Sequence, residues 1–250
     1  MNKLLITSYI LLIIFPIISC TDDHTLKPEH YQKLGMPSYK KVWTNDDYIA
    51  CNITLSSLKM NDPLSLPRKS SRKSGVLFKR MVNIHNLDFI YDKTFPLRTR
   101  AYTIQYFTRF QTEIEQMYTI EHNGKQYYGE ELLDIHIFGL QVHDRMLELA
   151  MIINDSDDPD TDGIKSGMTA VEYNYMKLIP RLIGELARTE QYSETDRKRL
   201  ASAISSSIKS NIKWMSDNDK ASLKGFLSES TSTIGSEAIK DILAETAKIL

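Results

Sequence analysis

Residues 130–153 read EELLDIHIFGLQVHDRMLELAMII, and the reading of this run decides the fold. It predicts one long amphipathic helix. Gly129-Glu130-Glu131 makes a helix start, with negative charge set against the positive end of the macrodipole. Asp134, Asp144 and Glu148 then form a polar side. His136 and His143, seven apart, share a face at its boundary, yet a rise of about 1.5 Å per residue separates them by about 10 Å along the axis. Zinc helices place their histidines four apart, as in H-E-x-x-H, which is absent here. The histidines therefore read as boundary residues of a packed helix.

Outward from this run the chain reads as helix after helix. Thr44 caps a first helix with Asp46 and Asp47 in its first turn, and Tyr48, Cys51, Leu55 and Leu58 recur at steps of three and four. Further helices are expected over 74–83, with Val76, Leu77, Met81 and Val82 toward the core, and over 96–118, where Pro96 suits a helix start. The C-terminal part adds 169–188, bent or broken at Pro180, then 194–214, 217–227 and 237–250. Ser193 with Asp196 and Ser216 with Asp219 supply capping signals. The one non-helical signal is YTIEHNGKQYYG (118–129), where Asn123-Gly124 predicts a two-residue β-hairpin turn. Tyr127 and Tyr128 read as cover for neighbouring helices. The expected architecture is all-α: a single multi-helix, bundle-like domain over 36–250 with one short β-hairpin.

Two long loops carry candidate chemistry. In NDSDDPDTDGIKSG (154–167), Asp158, Asp160, Asp162 and Gly163 fall at positions 1, 3, 5 and 6 of a calcium loop, Ile164 would offer its carbonyl at position 7, and Ser166 sits at position 9. The string resembles an EF-hand. It departs from that family at position 12, where Thr169 replaces the bidentate glutamate, and at Lys165, and Pro159 restricts the turn. The loop reads either as solvated charge or as a weak Ca2+ site in the range of about 10⁻⁴ to 10⁻³ M. The other loop, NDPLSLPRKSSRKSG (61–75), concentrates Arg68, Lys69, Arg72 and Lys73. It reads as a solvated basic loop, with phosphate headgroups or an acidic partner as the alternative. Its S-x-x-K and K-S-G strings, with Ser216-Asp217-Asn218, mimic serine β-lactamase signatures but occur in the reversed order, which excludes that family.

The N-terminus speaks to location. Met1 to Lys3 form a short positive segment, and the apolar run 4–18 is too short for a secure span, since roughly 20 apolar residues are needed to cross a bilayer. It ends Ile17-Ile18-Ser19-Cys20, which resembles the lipobox of bacterial lipoproteins. That resemblance implies a signal peptide over 1–19 cleaved after Ser19, and a diacylglyceryl group on the Cys20 thiol with acylation of the new amino terminus. Several acyl chains, at about 0.8 kcal/mol per buried CH2, hold a domain firmly on a membrane. An ordinary signal peptide that ends near a cysteine is the alternative. Thr21-Asp22-Asp23 resembles the acidic export signal of surface lipoproteins in the Bacteroidetes, which implies an outer-membrane location and possible exposure at the cell surface. LGMPSYKKVWTNDDY (34–48) also resembles Bacteroidetes lipoproteins, and implies no activity. Residues 20–35 read as the lipidated cysteine and a flexible tether.

Composition bounds the rest. Thirty-one Lys and Arg stand against 32 acids, so no global field draws the chain to nucleic acid. Only Cys20 and Cys51 are present; with Cys20 lipidated, Cys51 has no disulfide partner and is expected inside as a small hydrophobe. G-x-S-x-G, C-x-x-C, phosphate-loop and dinucleotide signatures are absent, so no catalytic residue and no resident cofactor are assigned. The expected function is a lipid-anchored cell-envelope protein whose helical domain binds another envelope or extracellular protein. The alternative is a hydrolase or calcium-dependent binding protein whose site forms only in three dimensions. An exposed apolar or aromatic face would favour the first, and a concave pocket with convergent carboxylates the second.

Overall fold

Thr44 starts the first helix of the computed structural model, which describes residues 42–161, 164 and 168–250. Asp47 reaches back so that its Oδ2 accepts the Thr44 backbone N–H at 2.7 Å, the capping arrangement that satisfies an otherwise orphaned donor. Helix α1 (Asn45–Asn61) buries Tyr48, Cys51, Leu55 and Leu58, the stripe that its periodicity predicts. Cys51 is a fully buried free thiol, and burial raises its pKa well above the ordinary value.

Seven more α-helices follow among the described residues: α2 (Gly75–Met81), α3 (Leu97–Tyr118), α4 (Gly129–Asn154), α5 (Met168–Leu186), α6 (Glu194–Asn211), α7 (Asp217–Ser230) and α8 (Glu237–Lys248). The described residues are thus all-α apart from one antiparallel hairpin, β1 (Glu121–His122) with β2 (Lys125–Gln126). Asn123 and Gly124 take positive φ values of 52° and 75°, the left-handed backbone that a two-residue turn requires. The serine oxygens of Ser193 and Ser216 accept the Asp196 and Asp219 N–H groups, each at 3.1 Å, and so cap α6 and α7. Helix α5 runs on through Pro180 rather than ending there. The expected helix over 194–214 stops as an α-helix at Asn211 and tightens into a 3-10 turn, Ile212–Trp214. No described helix is long and apolar enough to cross a membrane.

A longer 3-10 segment, Ile84–Tyr91, has no periodic signal in the sequence. Asn86 organises it from inside. Its Oδ1 accepts the Trp43 N–H at 2.8 Å, and its Nδ2 donates to the Arg80 carbonyl at 2.9 Å and to the Tyr48 hydroxyl at 2.5 Å. A buried amide with every bond made is worth more to specificity than to net stability, since an unmade one would cost about 1–3 kcal/mol.

Helix α4 is the axis of the molecule. One side of it, through Leu132, Ile135, Phe138, Val142, Leu149 and Ile153, joins a core built with α1, α2 and α3. Another stripe, Leu133, Leu140 and Leu147, joins a second core built with α5, α6, α7 and α8. Residues seven apart on a helix fall nearly in line, so this second stripe is a straight leucine ridge. Close packing of α3 on α4 depends on Gly139: a Cβ there would stand 2.7 Å from the Gln111 amide carbon and nitrogen.

Candidate functional site

The functional geometry lies in three places, all positioned by α3 and α4. The first is an outer face shared by α1 and α3. Ile49 and Ile53 on α1 are 44% and 66% exposed, and Tyr102 and Tyr106 on α3 are 51% and 47% exposed. Each pair is four residues apart, so each lies on one face of its helix. A groove of about 300 Å³ runs between them, lined by Ile49, Ile53 and Tyr106. Its polar border is internally paired: Glu113 accepts from Asn52 and, at 2.7 Å, from Arg109 Nε. Single exposed apolar residues are ordinary, but three gathered on one groove, with Tyr102 one helical turn from Tyr106, make a candidate contact surface.

The second is a polar seam where α3, α4 and α5 meet, open to solvent at Arg181 and buried at His136. Glu115 accepts from Arg181, and from Gln111 Nε2 at 2.8 Å. Burial opposes its ionisation, but Arg181, the neighbouring His136 and Gln111 outweigh it and hold the carboxyl below its ordinary pKa. His136 is 3% exposed. Its Nδ1 stands 3.8 Å from Glu115 Oε1, and neither ring nitrogen makes a hydrogen bond. Burial lowers its pKa, with Glu115 and Glu185 opposing. His143 is likewise depressed by burial, and its Nδ1 donates to the Gly139 carbonyl at 2.9 Å. The two histidines share a helix face, as their spacing predicts.

The third is a polar pocket of about 530 Å³ between α4 and the end of α6. Asp144 and Glu148, one turn apart on α4, both line it. Asp144 Oδ1 accepts from Ser207 Oγ at 2.5 Å and from Asn211 Nδ2 at 2.7 Å, and Tyr175 extends this chain to Ser207 at 2.8 Å. Burial pushes the Asp144 carboxyl up to about 6, against the pull of Ser207 and Asn211. Glu148 Oε2 accepts from Arg145 at 2.9 Å and from the Tyr91 hydroxyl at 2.6 Å, so the two carboxylates sit in different environments. Divergent environments for neighbouring carboxyls are a mark of ligand and catalytic sites.

The lipidation and calcium-loop residues singled out from sequence have no part in these three places where they are described. Cys20 lies outside the described residues, as does Asp162. Asp158 is exposed, and its backbone carbonyl accepts from Thr161 N at 3.0 Å and Oγ1 at 2.6 Å, closing the 3-10 turn Pro159–Thr161. Asp160 belongs to that turn, and Ile164 packs against the first core. Among the described residues no cluster of three or more His, Cys, Asp or Glu is arranged to hold a metal.

The basic loop is docked rather than free. Glu131, buried at the start of α4, accepts the Lys69 backbone N–H at 2.8 Å, and Lys69 Nζ lies 3.2 Å from Asp134 and 3.6 Å from Glu130. Arg68 lies over the Tyr127 ring at 4.8 Å. Tyr128 is wholly buried; its hydroxyl accepts the Leu66 N–H at 2.8 Å and donates to the Pro63 carbonyl at 3.1 Å. The hairpin tyrosines therefore do cover neighbouring elements. The chain matches no family model, no curated protein and no solved structure.

Proposed function

We propose that this is a lipid-anchored protein of the bacterial cell envelope, held on the outer membrane through Cys20, whose helical domain acts by binding another protein through the α1–α3 face. The observation that carries the binding reading is the gathering of exposed Ile49, Ile53 and Tyr106 on one groove, with Tyr102 exposed one helical turn from Tyr106. Tyrosine and isoleucine at a surface give large contact area with few rotamers to immobilise. The Arg109–Glu113 pair beside them supplies a polar rim whose charges are already matched. The anchoring reading rests on residues 1–23 and their likeness to a lipobox and an acidic export signal.

Three measurements test the two halves separately. A Cys20→Ala chain is expected to leave the membrane fraction, and its continued retention there would sink the anchor. Proteinase K added to intact cells then reads orientation, with digestion expected for a surface-exposed domain. For binding, a photo-crosslinking residue at Ile53 is expected to trap a discrete partner band in cells that is missing with the same residue at exposed Lys224 on α7. Equal labelling at both positions would refute the α1–α3 face.

A further inference from the structure

The pocket between α4 and α6 has no part in that reading, and its side chains are arranged as a receptor. We propose that it binds a neutral saccharide, with Trp214 as the apolar platform and Asp144 as the fixed acceptor at the polar end. Its volume, about 530 Å³, lies within the roughly 300–1,000 Å³ usual for small-ligand sites.

Charge selects the ligand class. Asp144 and Glu148 bring two negative groups to the pocket, and Arg145 and Lys213 bring two positive ones. Arg145 is committed to Glu148 at 2.9 Å, and Lys213 Nζ stands over the Trp214 ring at 4.2 Å. A strongly anionic ligand would meet the two carboxylates, and a cationic one the guanidinium and the ammonium. A neutral polyol meets donors and acceptors in alternation, which suits hydroxyl groups that are both.

Geometry selects the polar end. Both protein hydrogen bonds to Asp144 land on Oδ1. The other oxygen, Oδ2, accepts none among the described residues and is not sealed from solvent. The Tyr175–Ser207–Asp144 chain and Asn211 thus fix the carboxyl while leaving one oxygen for a ligand, a preorganised acceptor that spends no rotamer entropy on binding. Gln141, which also lines the pocket, makes no hydrogen bond to protein among the described residues. Its amide offers a donor and an acceptor together. Trp214 is half-buried at the pocket wall with Lys213 over one side of its ring, which leaves the opposite indole face to receive the C–H face of a sugar ring.

The test is ligand-observed saturation-transfer NMR on the full chain in detergent with maltose, cellobiose, lactose and N,N′-diacetylchitobiose. At least one is expected to bind saturably, with Gln141→Ala, Trp214→Ala and Asp144→Ala each weakening it by about tenfold, the scale of one lost polar contact or platform. Gln141→Ala removes a side chain with no structural bond, so its effect cannot be ascribed to misfolding, and melting curves check the other two. Absence of saturable binding by every disaccharide overturns the proposal. So does binding that all three variants leave unchanged, or, with glucosamine and glucose 6-phosphate run as charged comparison ligands in the same experiment, a preference for either over the neutral sugars.

Discussion

Gly139 and Gln111 meet more closely than any side chain at 139 would allow: a Cβ on the glycine would lie 2.7 Å from the Gln111 amide. Gln111 has little room to yield, because it is 3% exposed and donates to Glu115 at 2.8 Å. Helix propensity alone would favour Gly139→Ala by roughly 1 kcal/mol, whereas overpacking costs about 1–3 kcal/mol. Chemical denaturation is expected to find Gly139→Ala destabilised by about 1 kcal/mol. In a Gln111→Ala background the same change should become neutral or stabilising. Additive effects in the double-mutant cycle would show that the contact does not limit helix approach.

Asp144 predicts an unusual pH response. Its carboxyl titrates near 6 in the fold against an ordinary 3.8, so the native state holds the proton more tightly than the unfolded chain. Its contribution to stability is fullest below the unfolded value and is lost as pH rises through about 6. After allowing for partial exposure the loss is on the order of 2 kcal/mol. Asp144→Asn should therefore gain in relative stability between pH 4 and pH 8, by on the order of 2 kcal/mol; a variant-to-wild-type difference that is flat with pH would refute it.

His136 works in the opposite direction. Burial depresses its pKa below the ordinary 6.5, so the unfolded chain takes up a proton that the native state refuses. Stability is present above 6.5 and falls as pH drops. His136→Leu removes two unsatisfied ring nitrogens and is expected to melt at or above the wild-type temperature at pH 7.5. It should also lose less stability than the wild type on acidification toward about pH 5. Thermal melts across that range compare the two directly.

Glu131 holds the basic loop. Its Oε1 accepts the Lys69 N–H at 2.8 Å and lies 4.0 Å from Arg68 Nε. Replacing it with alanine leaves the half-buried Lys69 N–H without its partner, at a cost of about 1 kcal/mol, borne mostly by the loop. Limited trypsin digestion should then cut at Arg68, Lys69, Arg72 or Lys73 well before the wild type is nicked. Unchanged digestion would place the loop's restraint elsewhere, in Tyr128 and its two bonds.

Much of this was legible in the sequence, and the exceptions share a cause. Tyr48, Cys51, Leu55 and Leu58 declare α1 because helix periodicity is local, and Asn123-Gly124 declares the hairpin because its turn needs positive φ at both residues. Asp144 reads as a solvent-side acid of an amphipathic helix. What changes its character is Ser207 and Asn211, 63 and 67 residues further on. Likewise Lys69 and Arg68 read as a free cationic loop, because their partners Glu131 and Tyr127 are separated from them by 62 and 59 residues. Three-residue turns such as Ile212–Trp214 carry no period at all, and so Trp214 reads as a helix end rather than as a pocket wall.

The leucine ridge of α4 has a consequence for how the chain can be divided. Leu133, Leu140 and Leu147 serve one core while Phe138, Val142 and Leu149 serve the other, so no cut in the polypeptide gives each half its own complete interior. A fragment ending after Asn154 keeps α4 but leaves its ridge bare to water, inviting self-association. A fragment beginning at Met168 has nothing to close over. Splitting the gene between α4 and α5 should therefore yield pieces that recover solubility only when co-expressed, each serving as the other's chaperone.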